Sequence, residues 1–212
     1  MVNAATVITF VCLSAAAVLV LAESRNWRIG KVLCKVIAST AFVLVALQLH
    51  ATTSRYGQLI LIALVLSWIG DVCLLSHRTR LFLSGIAFFL LAHIAFAMAF
   101  GTRALDTRAL LVGLALMSCV GLSTFRWLWS HLTNYYKTAV GAYIAAIVAM
   151  CSFAIAVSAA TGSWLPAVGA LAFAASDISV ARDRFVAPGL VNKAWGLPLY
   201  YTAQILLALS VE

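Results

Sequence analysis

A chain of 212 residues that is 65% hydrophobic and 9% charged is not an ordinary soluble domain, which is nearer about 45–50% apolar and about 25% charged. Mean hydropathy is +1.07 and apolar runs recur end to end, so residues 1–212 read as one all-α, polytopic membrane domain. The formal net charge of +8 is spread over the connectors, whereas a nucleic-acid binder gathers its charge on one soluble surface.

About 20 apolar residues cross a bilayer. On that measure the spans fall at about 4–22, 32–50, 58–76, 81–100, 109–125, 138–158, 164–181 and 196–211, a single bundle of about eight transmembrane helices. The leading residues MVNAAT carry no positive charge, so the first span reads as an uncleaved helix rather than a signal peptide. The first, third, fifth and seventh connectors hold 11 of the 14 Lys and Arg residues. Positive charge marks the cytoplasmic side. Both termini are then non-cytoplasmic, and the brevity of the chain favours a bacterial inner membrane.

Cys12, Cys34, Cys73, Cys119 and Cys151 fall in or beside five different spans with no CxxC pair, and read as small apolar residues. His50, His77 and His131 sit at helix ends or in connectors, and His93 alone is deep in a span. No HExxH or comparable ligand spacing appears, so neither a metal nor an organic cofactor is expected. Most Trp and Tyr residues mark helix ends, where interfacial anchoring explains them.

Asp71 and Asp177 are different. Both stand inside apolar spans, where a carboxylate costs about 2.5–3.5 kcal/mol. A chain with six acidic residues has placed two of them there, which makes them the candidate site. Spans three and seven both run toward the cytoplasm, so each Asp lies roughly 7 Å from that end. Tyr143 on span six, Tyr200, Tyr201 and Gln204 on span eight, and Lys35 at the edge of span two enter the same layer. His93 is placed deeper, at about 18 Å. Helical spacing puts Ser67 and Asp71 on one face, as it does Tyr200 with Gln204, Gly85 with Phe89 and His93, and Tyr143 with Ile147 and Met150. Taken alone, Lys35 reads more simply as a snorkelling residue. His93 alone reads as a helix–helix hydrogen-bond partner.

The segment SWIGDVCLL followed by FLSGIAFFLLAHIAF resembles the GD and G-x-x-x-F-x-x-x-H signatures of the YhhN-like lysoplasmalogenase family. ASDISVARDRF and LPLYYTAQILL resemble its S-D-x-x-x-A and Y-Y-x-A-Q signatures, in the same order. Lys35 and Tyr143 match its early Lys and sixth-span Tyr, and the resemblance covers about residues 31–209. Val36 stands where the family usually has Pro, and Phe96 where it usually has Tyr, which removes a hydroxyl. The resemblance implies cleavage of the vinyl ether bond of a lysophospholipid, with release of a fatty aldehyde. That reaction needs an acid to protonate the outer alkene carbon and a carboxylate to stabilise the oxocarbenium ion and activate water. Asp71 and Asp177 would divide those roles as a coupled pair, with Lys35, Ser67, His93, Tyr143, Tyr200 and Gln204 binding substrate or supporting them. Lys35, joined by Arg182 or Arg184, would hold the phosphate. The rival reading is a proton-coupled carrier using the same buried Asp pair.

Overall fold

The computed structural model describes residues 4–76 and 78–211; the first three residues, His77 and Glu212 lie outside the described residues. The architecture is all-α. The helices are α1 Ala4–Ser24, α2 Arg28–Gln48, α3 Arg55–Cys73, α4 Thr79–Phe100, α5 Thr107–Leu128, α6 Asn134–Thr161, α7 Leu165–Ala181 and α8 Leu190–Leu209. Each overlaps one span expected from hydropathy. The helices nevertheless outrun the apolar runs, because a polar residue ends a hydropathy window without ending the i→i−4 ladder. Arg28, Lys31, Lys137 and Lys193, expected in connectors, therefore lie inside helices.

Side-chain caps explain two of the helix starts. Ser54 accepts the Gly57 N–H at 3.0 Å before α3, and Asp106 accepts the Ala109 N–H at 2.7 Å before α5. Gly162 ends α6 in the left-handed region with φ 76°, the conformation glycine adopts without strain. A π-helical turn, Arg182–Val186, prolongs α7.

The helices α1, α2, α3, α4, α6 and α7 follow one another around the bundle, and α8 closes it by packing on α7, α1, α2 and α3. Among the described residues seven helices, α1 to α7 (α7 with its π turn), are long and apolar enough to cross a membrane. The 20-residue α8 carries more polar groups, including Asn192, Tyr200, Tyr201 and Gln204, all buried. It faces protein on more sides than its neighbours do, so its polar groups meet partners rather than lipid. Helix α5 lies outside this arrangement and packs mainly on α6 through Gly113, Met117 and Gly121. Large apolar side chains such as Phe10, Ile29, Leu111 and Leu122 stay exposed on the outer faces, as a lipid-facing surface requires.

Close approach is built in at α7–α8. A Cβ on Gly196 would stand 1.8 Å from Ser179 Oγ, so only glycine lets the two helices meet there. That contact sets the height of Tyr200, one turn further along α8.

Candidate active site

Asp71 is 3% exposed and is surrounded by donors. Lys35 Nζ lies 3.2 Å from Oδ1. On Oδ2, Ser39 Oγ donates at 2.6 Å and Tyr200 OH at 2.9 Å. Asp71 has an ammonium against one oxygen and two hydroxyl donors on the other. Lys35 thus turns inward as the counter-ion of Asp71 and does not stand free at the surface.

Asp177 has a different environment. Tyr143 OH donates to Oδ1 at 3.2 Å, and His93 Nε2 approaches Oδ2 at 3.1 Å. That approach lies off the hydrogen-bond direction, and both atoms are otherwise buried without a partner among the described residues. His93 Nδ1 is 2.6 Å from the Phe89 carbonyl oxygen. A carbonyl only accepts, so Nδ1 carries a hydrogen. With Nδ1 protonated, Nε2 and Oδ2 would oppose lone pair to lone pair unless a further proton lay on one of them. A proton on either atom would relieve that opposition.

No hydrogen bond or ion pair joins Asp71 to Asp177 among the described residues. Aromatic rings connect the two centres. Tyr200 packs on Phe173 with centroids 5.5 Å apart, and Phe173 stacks on His93 at 4.4 Å. Each carboxylate thus has its own set of side-chain partners.

The site groups lie at unequal distances from their helix ends. Lys35 is seven residues beyond Arg28, Tyr143 nine beyond Asn134 and Tyr200 ten beyond Leu190, or about 10–15 Å along each helix. Asp177 stands nine residues before Val186, where the π turn ends, about 14 Å on the same rise. Only Asp71 lies close to its helix end, Cys73. The depth gap assigned to His93 disappears, since it touches Asp177 directly.

Ser67 and Gln204 are fully buried but bond to each other, Gln204 Nε2 to Ser67 Oγ at 3.5 Å, and not to a carboxylate. The Gln204 Oε1 atom is buried with no partner among the described residues. Arg182 donates to Asn192, and Arg184 lies over the Phe82 ring at 4.1 Å. Neither joins Lys35. Sequence reasoning missed Ser39, although Lys35 and Ser39 are four apart on α2 and so share a face. It also missed Phe173, for which apolar sequence carries no signal. Tyr201 is buried beside Ser39, with the two hydroxyl oxygens 3.4 Å apart. Among the described residues no three His, Cys, Asp or Glu side chains converge as a metal-ligand set.

The YhhN family model matches residues 30–211. The bovine protein named lysoplasmalogenase TMEM86A is 34% identical over 167 residues, 76% of this chain and 66% of its own length. Porcine lysoplasmalogenase TMEM86B is 36% identical over 151 residues, 71% of this chain and 62% of its own. A lysoplasmalogenase of Mycobacterium tuberculosis is 33% identical over 178 residues, 80% of this chain and 66% of its own. The matched part thus spans about two thirds of the length of these curated relatives. No solved structure matches the chain. An all-helical membrane bundle with two carboxylates set within its helices, matched by the family model over nearly its whole length, belongs to the YhhN family.

Proposed function

We propose that the protein hydrolyses the vinyl ether bond of lysoplasmalogens, releasing a fatty aldehyde and a glycerophospho head group. The relatives' names support the reaction class. The observation that carries the mechanism is the contrast between the centres: Asp71 with three donors, and Asp177 against a histidine whose other nitrogen is already protonated.

That contrast supports the following division of roles. The His93–Asp177 pair is the general acid and delivers its proton to the outer alkene carbon. The electron pair of the C=C bond forms the new C–H bond, and the ether oxygen stabilises the resulting cation as an oxocarbenium ion. Asp71, anionic beside it, stabilises that charge. Water adds at the carbon bearing oxygen and gives up a proton to a carboxylate. The hemiacetal then collapses: its hydroxyl gives up its proton to a carboxylate as the C=O bond forms, and the C–O bond to the head group breaks as the leaving oxygen takes the proton that the attacking water had given up. Tyr143 and Tyr200 hold the carboxylates in orientation, and Lys35 keeps Asp71 charged. Paired carboxylates serve a related cation in glycoside hydrolysis.

The odd-numbered connectors carry most of the basic charge, so we place them, and substrate entry, on the cytoplasmic side of a multi-pass protein. A single-chain lysolipid keeps its head at the interface and its chain among the helices, and the scissile bond lies just below the head.

The test is aldehyde release from lysoplasmenylethanolamine by purified protein in detergent. Asp71→Asn and Asp177→Asn are each expected to lower turnover by about 10²–10⁴-fold with the fold intact. Near-normal turnover in both variants would sink the mechanism. Proton-coupled flux in proteoliposomes without aldehyde release would replace the enzyme by a carrier.

A further inference from the structure

A cavity of about 680 Å³ opens at the end of the bundle where α3 begins and α4 ends, lined by Arg55, Tyr56, Thr102 and Arg103 among others. A second, of about 420 Å³, shares Arg55, Gly101 and Thr102 with it and continues along α3, α4 and α6. Leu59, Met98 and Phe153 form the walls of this groove, and Ala97 and Ala149 leave it room. Neither cavity is lined by Asp71 or Asp177.

The polar end is prepared for an anion. The Arg103 guanidinium lies 4.3 Å over the Tyr56 ring. That ring is fixed, because Tyr56 is 5% exposed and its hydroxyl meets Ser210 Oγ at 2.8 Å. Stacking occupies the face of the guanidinium and leaves its N–H edge free for bidentate contact with phosphate. Arg55 is exposed and makes no ion pair or side-chain hydrogen bond among the described residues. Among the described residues no carboxylate lines the cavity, and Asp106 is engaged in capping α5. Among the described residues, two arginines without counter-ions thus head an apolar groove.

We propose that this is a second lipid site, separate from the reaction centre. It takes one phosphate-bearing bilayer lipid, with the phosphate between Arg55 and Arg103 and one chain in the α3–α4–α6 groove. The arginines select against an uncharged lipid. The groove selects against a free phosphate, which has nothing to place there. Ala97 is one turn from His93 on α4, and Ala146, also in the groove, is three residues from Tyr143 on α6. A chain seated there braces the two helices that carry the partners of Asp177.

The experiment is native mass spectrometry of the purified, delipidated full chain titrated with phosphatidylglycerol. One lipid is expected to bind per chain. Arg55→Gln/Arg103→Gln is expected to weaken it at least about tenfold, the loss of about 1.4 kcal/mol or more. Ala149→Trp, which fills the groove and leaves both arginines, is expected to weaken it comparably. Arg108→Gln, on the same end but outside the cavity, is expected to bind like wild type, and neither diacylglycerol nor inorganic phosphate should compete. Wild-type binding by the double Arg variant and by Ala149→Trp overturns the proposal. So does an equal loss in Arg108→Gln, which indicates bulk charge, or competition by inorganic phosphate alone. Aldehyde release is not the readout, so the outcome is independent of the proposed reaction.

Discussion

Asp71 shows why a buried charge in a membrane is tolerated only with company. Its ammonium partner Lys35 is 13% exposed in its side chain and the carboxylate side chain 4%, so solvent screens the pair little. Removing one member leaves an uncompensated charge, which costs about 3–5 kcal/mol. Lys35→Met is therefore expected to lower the melting temperature in detergent sharply. Lys35→Met/Asp71→Asn, with neither charge left, should recover most of that loss while remaining inactive. If the double variant melted no higher than Lys35→Met, the ion pair would not be the source of the instability. Ser39 adds a hydrogen bond to a charged group, of the kind worth about 1.5–3 kcal/mol. Its spacing from Lys35 made it findable in sequence. The Phe89 carbonyl that fixes the His93 tautomer was not, because every residue has a carbonyl and only the turn geometry of α4 brings this one to Nδ1.

Among the elements, α8 ties the site to both sides of the bundle, and hydropathy marks it least clearly. It supplies Tyr200 to Asp71 and rests on α7 through Gly196. Gly196→Ala puts a methyl group into the space of Ser179 and must push the helices apart. Overpacking of this kind costs about 1–3 kcal/mol. Lower thermal stability and reduced turnover are expected together, since the displacement carries Tyr200 away from Asp71. Unchanged melting and unchanged turnover would show that the contact does not set the height of α8. Helix α5 provides the contrast. A Cβ on Gly113 would meet Ser152 Cα at 3.2 Å, so Gly113→Leu should loosen α5 from α6 and lower stability. The surviving folded protein should keep wild-type kcat and KM, because α5 contributes no group to either carboxylate centre.

For the whole molecule, hydrogen bonds and ion pairs account for the acids among the described residues. Glu23 pairs with Lys31 at 3.0 Å and Lys193 at 2.9 Å and ties the end of α1 to the starts of α2 and α8. Asp183 accepts the Gly189 N–H at 2.8 Å and Asn192 Nδ2 at 3.1 Å, closing the turn into α8. Asp106 caps α5. Three acids thus serve helix ends, and Asp71 and Asp177 stand apart within the bundle. A carboxylate mechanism needs no metal, so a chelator is expected to leave aldehyde release unchanged. Loss of activity on EDTA with rescue by zinc would point instead to metal-dependent hydrolysis.

Composition and periodicity were enough for the all-α membrane class, for the eight helices to within a turn or so at most ends, and for the two aspartates. Each is a local matter: a bilayer demands runs of apolar residues, and a carboxylate inside such a run is costly whatever surrounds it. The ordered motifs already pointed to the YhhN family. Which donor meets which carboxylate was decided only by tertiary structure. Lys35, Ser39 and Tyr200 converge on Asp71 from two helices, while His93 and Tyr143 reach Asp177 from two others. Helical spacing orders side chains around one axis but does not set the rotation or height of one helix against another. Packing sets those, and packing gave each carboxylate its own set of partners.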